Sequence, residues 1–175
     1  LGDYVSDDYR SIEVDVSRKL NQVAYNPRKG SRYTSTLIRL LPGVHFVPLE
    51  AMTAEQVRAT LLQSKVYIDF GSHPGRDRIP REAALCACVV IVGRRGSARY
   101  FEDVPLSDRF KFPVGYFGLR KAANAIVAAL GNYDTQRAEQ SEFLDWVAEE
   151  PTRFREQVIE VFSSDFLRAA AGPKP

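Results

Sequence analysis

VYIDFGSHPGRDRIPREAALCACVVIVGRRGS, residues 66–97, is the stretch whose reading decides the fold. Val66-Tyr67-Ile68-Asp69-Phe70 is a β-branched and aromatic run of strand length, and a loop rich in glycine, proline and charge follows from Gly71 to Ile79. Pro80 suits the first turn of a helix, where its missing N–H costs nothing, and predicts a short helix from Arg81 to about Ala87. Cys88-Val89-Val90-Ile91-Val92 is apolar at every position, as a strand covered on both faces must be. Gly93-Arg94-Arg95-Gly96-Ser97 is a second polar, flexible loop. A strand, a helix and a second buried strand at this spacing form one unit of a parallel sheet.

The same rhythm extends upstream. Gln22 to Asn26 reads as a strand stopped by Pro27 and Gly30, with Ser31 placed to cap a helix running to about Leu41. Pro42-Gly43 breaks that helix, Val44 to Leu49 forms a second strand, and Thr53 with Gln56 makes a capping box for a helix through Gln63. Downstream the pattern is helical over 117–130, 136–149 and 151–170. The last of these carries Phe154, Val158, Ile159, Phe162, Phe166 and Leu167 as an apolar stripe expected to pack against its own domain. Residues 1–20 form an acidic lead-in, in which Ile12, Val14 and Val16 alternate as a short strand or extended connector. The tail 172–175 is expected to be disordered. The fold class is therefore α/β: a Rossmann-like three-layer sandwich over 21–175, with a mostly parallel sheet and C-terminal helices.

Bulk properties narrow the function by exclusion. The chain has 175 residues, 45% hydrophobic and 26% charged, which is enough to build one domain without disulfides or a structural metal. A net charge of +2 demands neither a nucleic-acid nor a membrane partner. Cys86 and Cys88 fit no redox or zinc spacing and read as small buried hydrophobes, which points to a reducing, cytoplasmic setting. No apolar run has transmembrane length, and the start, Leu1-Gly2-Asp3-Tyr4, lacks a signal pattern. It also lacks Met, so the chain is expected to be part of a longer protein.

In an open parallel sheet, ligands bind beyond the carboxyl ends of the strands. Three loops leave such ends here: 26–31 (NPRKGS), 71–78 (GSHPGRDR) and 93–98 (GRRGSA). Each joins glycine, which lets backbone approach a ligand, to Lys or Arg, which neutralises phosphate. Together they describe a pocket for a phosphorylated, diphosphate-type ligand. None matches the Walker pattern and no strand precedes GxGxxG, which disfavours an ATPase or a dehydrogenase. Glu82, near the start of its helix, is the residue singled out: it either complements the helix dipole or accepts hydrogen bonds from ribose hydroxyls. His73 is a candidate general base. His45 reads as structural. Asp69 is placed to hold the following loop through backbone N–H groups.

In this order, the strand 66–70, the Gly/Pro loop, Ile79-Pro80-Arg81-Glu82-Ala83-Ala84, the strand 88–92 and Gly96-Ser97 resemble the C-terminal, donor-binding half of GT-B glycosyltransferases of the family-four type. Asn26-Pro27-Arg28-Lys29-Gly30 is similar to their P-x-K-G loop, so the resemblance spans about residues 21–100. It implies that Lys29 binds the donor diphosphate, that Glu82 binds the nucleotide ribose, and that Gly96 and Ser97 lie beside the phosphates or sugar. Two family positions depart: the first acid of E-x7-E is Pro74, and the arginine six residues before Lys29 is Val23. Arg76, Arg78 or Arg94 is left to supply the missing charge.

The expectation is thus the donor half of a nucleotide-sugar-dependent, retaining glycosyltransferase moving a hexose-type sugar. Its expected donor site is Arg28, Lys29, Gly75, Glu82, Arg94, Gly96 and Ser97, with His73, Arg76 and Arg78 at the reacting centre. No Asp-x-Asp motif is present, and the resemblance implies no metal and no cofactor beyond the donor, with UDP- or GDP-sugar as the partner. A GT-B enzyme has two such domains, so the acceptor-binding half is missing or supplied by another chain, and this part alone is expected to be inactive. The alternative is a non-catalytic nucleotide, sugar-phosphate or partner-docking module. A different reaction on the same fold, such as epimerisation, has no specific support.

Overall fold

Val89–Val92 offers no polar face, so the only place for it is inside a sheet with helices on both sides. The computed structural model, which describes residues 3–75 and 77–163, puts it there. The strands are β1 (Leu20–Tyr25), β2 (His45–Pro48), β3 (Ser64–Asp69), β4 (Val89–Gly93) and β5 (Lys111–Phe112), all parallel, in the order β2-β1-β3-β4-β5. Register pairs Val23 with Val66, Tyr25 with Ile68 and Ile68 with Ile91. Every residue of β4 is buried.

The helices are α1 (Asp7–Arg10), α2 (Ser31–Leu40), α3 (Ala54–Gln63), α4 (Arg78–Leu85), α5 (Tyr116–Gly131), α6 (Tyr133–Ala138), α7 (Ser141–Ala148) and α8 (Glu150–Phe162). α2 packs on α5 and α3 on α4, giving a helical layer on each side of the sheet. The chain runs from β1 outward to β2, then crosses to β3 on the other side of β1. Between β1 and β3 the connections diverge, which opens a crevice at their carboxyl ends. The opposite end is closed. There the buried ammonium of Lys19 donates to the carbonyls of Leu61, Ser64 and Cys86 at 2.9, 2.8 and 2.5 Å.

Several local expectations change. α2 is capped by Gly30 in the left-handed region (φ 61°), not by the Ser31 side chain. α4 starts at Arg78 and ends at Leu85, so Pro80 is its third residue. Glu82 then lies beyond the first turn. The expected helix 136–149 divides into α6 and α7 because Gln140 turns inward. Its amide group donates to Val90 O and accepts from Val90 N, both at 2.9 Å, replacing a strand neighbour that short β5 does not supply. Residues 12–16 form no strand, and Asp15 instead caps the 3-10 turn Val16–Arg18. Within the lead-in, Val5 and Tyr9 belong to the core.

The capping box of Thr53 and Gln56 is present. Cys86 and Cys88 are free and buried, and burial pushes the Cys86 thiol up to about 12. His45 sits exposed at the start of the edge strand β2. On α8 the apolar stripe is only partly covered: Phe154 meets Tyr4 at 5.4 Å between ring centres, whereas Ile159 and Phe162 are exposed. Phe166, Leu167 and the tail lie outside the described residues.

Candidate functional site

The three glycine-containing loops meet at the carboxyl end of the sheet. A Cβ on Gly30 would stand 2.4 Å from the carbonyl carbon and oxygen of Phe70, and one on Gly71 would stand 2.8 Å from Lys29 Cβ. The loop after β1 is therefore pressed against the loop after β3 with no room for a side chain between them. Gly96, at φ 57° on the loop after β4, makes the matching contact with the loop after β3: its Cβ would fall 2.1 Å from His73 O. A parallel bridge joins His73 to Gly96, Ser97 N donates to His73 O at 3.0 Å, and Ser97 Oγ donates to Gly75 O at 2.5 Å. Gly75 itself has open space beside it.

This geometry separates residues that build the site from residues that face outward. Gly96 and the Ser97 hydroxyl tie loop to loop, which uses the Ser97 side chain internally. Arg28 is exposed at the tip of the first loop. Lys29 reaches across to the carboxylate of Asp77, the N-cap residue of α4. Arg94 turns away toward β5, bonding Lys111 O at 3.0 Å and Asp108 at 3.0 Å. Its neighbour Arg95 does the central bridging, a role that sequence reasoning did not assign. Its guanidinium donates to Phe70 O at 3.3 Å and lies 5.1 Å over the Tyr33 ring, linking β3, β4 and α2. The doublet Arg94-Arg95 gave no hint of which member points inward. Alternation along a strand ends at Gly93, and the turn sets the directions afterwards.

Beneath the loops lies a buried polar cluster. Asp69 ends β3 and accepts from Gly71 N at 2.7 Å, the loop-holding contact expected of it. Burial opposes its ionisation, but His73, the Gly71 amide and Lys29 outweigh this and hold its carboxyl below the usual carboxylate range. His73 is enclosed, with its side chain fully buried and Nε2 3.5 Å from Asp69 Oδ1. A proton acceptor for a bound substrate needs a path to it, and the His73 side chain has no exposed surface. Arg76 lies outside the described residues.

Glu82 faces another way. It lines a cavity of about 540 Å³ between α1, the start of α3 and α4, together with Tyr9, Met52, Arg58, Arg78 and Ile79. Arg78 Nε stands 2.9 Å from its carboxylate, and Tyr9 hydrogen-bonds to it. Burial nevertheless raises its pKa above the ordinary value, against the pull of Arg78 and Tyr9. A raised native pKa adds stability at low pH that fades as pH rises through it. Glu82→Gln is therefore expected to melt no lower than the parent at neutral pH. Below about pH 4, where the parent carboxyl is protonated in both states, the advantage disappears. Melting curves across that range check it, and an advantage that grows toward acid contradicts it.

No family model matches this chain, and no curated protein matches it. Among solved structures, one described as the crystal structure of TarM superposes on 87% of the chain with a TM-score of 0.61 and 11% identity. The fold is GT-B-like. The chain spans 38% of the length of TarM, so it corresponds to one part of that protein. Among the described residues no helix is long and apolar enough to cross a membrane.

Proposed function

We propose that this chain is the donor-binding half of a nucleotide-sugar-dependent glycosyltransferase. The observation that carries the reading is the junction of three strand-end loops at the switch point of a parallel sheet, packed through Gly30, Gly71 and Gly96 and flanked by Arg28, Lys29 and Arg95. TarM, its structural neighbour, is a GT-B glycosyltransferase. In this reading the donor diphosphate lies over the first loop. Arg28 meets it directly, and Lys29 exchanges Asp77 for a phosphate oxygen. Fixed positive charge there stabilises the nucleoside diphosphate as the glycosidic bond breaks. The cavity at Glu82 has the volume of a nucleoside pocket and offers the carboxylate to ribose hydroxyls. In this reading Gly75, on the loop after β3, and Arg78, at the head of α4, face the sugar, Arg76 carries a charge on the same stretch of sequence, and a hexose-type sugar, a retaining outcome and metal-independent transfer are part of the proposal. So is a second, acceptor-binding domain. Tyr116 and Phe117, exposed at the start of α5 beyond β5, offer it an apolar contact.

The second reading, a binding module without turnover, is favoured by Pro74 in place of an acid and by the Lys29–Asp77 pair, which already satisfies the key ammonium. Calorimetric titration with UDP, GDP and their sugars tests both. We expect single-site binding that Lys29→Ala weakens about tenfold or more, the loss of one charge-assisted hydrogen bond. Absence of binding at millimolar nucleotide overturns the glycosyltransferase reading. Binding without transfer by the full-length protein selects the module.

A further inference from the structure

His73 poses a problem that the donor site does not solve. Its side chain is wholly buried, Nδ1 makes no hydrogen bond and Nε2 has only the long 3.5 Å approach to Asp69 Oδ1, although buried polar atoms are nearly always satisfied. Two carboxylates share its surroundings. Asp69, Asp77 and His73 each offer one ligand atom, and these atoms all lie within 4.8 Å of one another. The side chains of Asp69 and Asp77 are 1% and 9% exposed, so two carboxylates are buried together, met by the Lys29 ammonium, the Gly71 amide and the Tyr67 hydroxyl. A small cavity of about 10 Å³ touches His73 and Asp77 and is lined beyond them by Arg81, Asp103, Phe143 and Trp146. That is room for a single water molecule or ion.

We propose that Asp69, His73 and Asp77 bind a divalent transition-metal cation of the zinc or manganese class. One imidazole nitrogen and two carboxylate oxygens suit these borderline cations, whereas calcium and magnesium favour all-oxygen sets. The ligands recur every four residues, from the end of β3 through its loop to the N-cap of α4. A cation there would fasten the end of β3, His73 and the N-cap of α4 to one another. It would also neutralise the buried carboxylates and give the histidine a close ligand contact in place of its long approach to Asp69. Because Asp77 is shared, the cation and Lys29 compete for it. Metal binding releases the ammonium toward the strand-end crevice, where an anion can take it. The proposal stands independently of nucleotide binding.

The test is titration of the chelator-treated chain with zinc chloride and with manganese chloride, followed by calorimetry, with cobalt substitution giving a visible spectrum for the site. A single site is expected, weakened about tenfold or more by His73→Gln. Lys29→Met, which keeps all three ligands and removes the competing charge, is expected to bind the cation more tightly than the parent while losing any nucleotide affinity. If His73→Gln fails to fold, the Lys29→Met comparison decides. No binding of either cation, affinity unchanged by His73→Gln, or affinity unchanged or weakened by Lys29→Met overturns the proposal.

Discussion

Gly96→Ala is expected to abolish nucleotide binding and to cost several kcal/mol of stability. The residue sits at φ 57°, ψ −139°, a region that is essentially glycine's alone and strains a side chain by about 1–3 kcal/mol. The added methyl also meets a wall. It would stand 2.1 Å from His73 O and 2.7 Å from His73 N, both backbone atoms that cannot swing aside. The loops after β3 and β4 must separate, which breaks the Ser97 N to His73 O bond and the Ser97 Oγ to Gly75 O bond together. Each buried polar group left without a partner adds about 1–3 kcal/mol. Denaturant unfolding and UDP titration of the variant measure both effects. Parent-like stability with parent-like binding would mean that the two loops are not in contact. Serine at the same position faces the same wall and should fail equally.

Arg81→Ala is expected to lower stability by about 3–5 kcal/mol, the usual result of breaking a buried ion pair from one side. Arg81 is enclosed on α4 and grips Glu150 with two hydrogen bonds, at 3.0 and 2.9 Å, while its other branch reaches Asp3 at 3.1 and 3.2 Å. It thus fastens the N-terminal segment and the head of α8 to the core. Burial raises the Glu150 pKa above its ordinary value even with this partner beside it, so removal of Arg81 leaves a carboxyl that is costly to ionise. The loss should accordingly shrink at acid pH, where Glu150 takes up a proton. Equal loss at pH 4 and pH 8, or a loss below about 1 kcal/mol, would show that the pair does not bear on folding.

The sheet was legible because its signals are local. Four apolar runs punctuated by Pro and Gly marked β1 to β4, and the Thr53–Gln56 pair marked α3 directly. β5 was missed because two residues, Lys111 and Phe112, carry no alternation to read. The break between α6 and α7 was missed because it depends on Gln140 meeting Val90, a contact across 50 positions. At the site, composition pointed to loops but not to directions. Side chains on turns are aimed by φ and ψ at each residue, and only the fold shows that Arg95 bridges while Arg94 turns outward, or that Ser97 spends its hydroxyl on Gly75. The largest gap concerns burial. His73 reads as a loop residue between Ser72 and Pro74, yet the bridge to Gly96 draws it into the interior, and that turns a candidate base into a candidate metal ligand.

The central claim is that turns from separate strands close around one diphosphate, and amide chemical-shift mapping during UDP titration tests it most directly. Saturable shifts are predicted in residues 27–31, 71–75 and 94–97 at a common dissociation constant. Shifts confined to one of these segments, or concentrated at the far end of the sheet around Lys19 and Ser64, would contradict it.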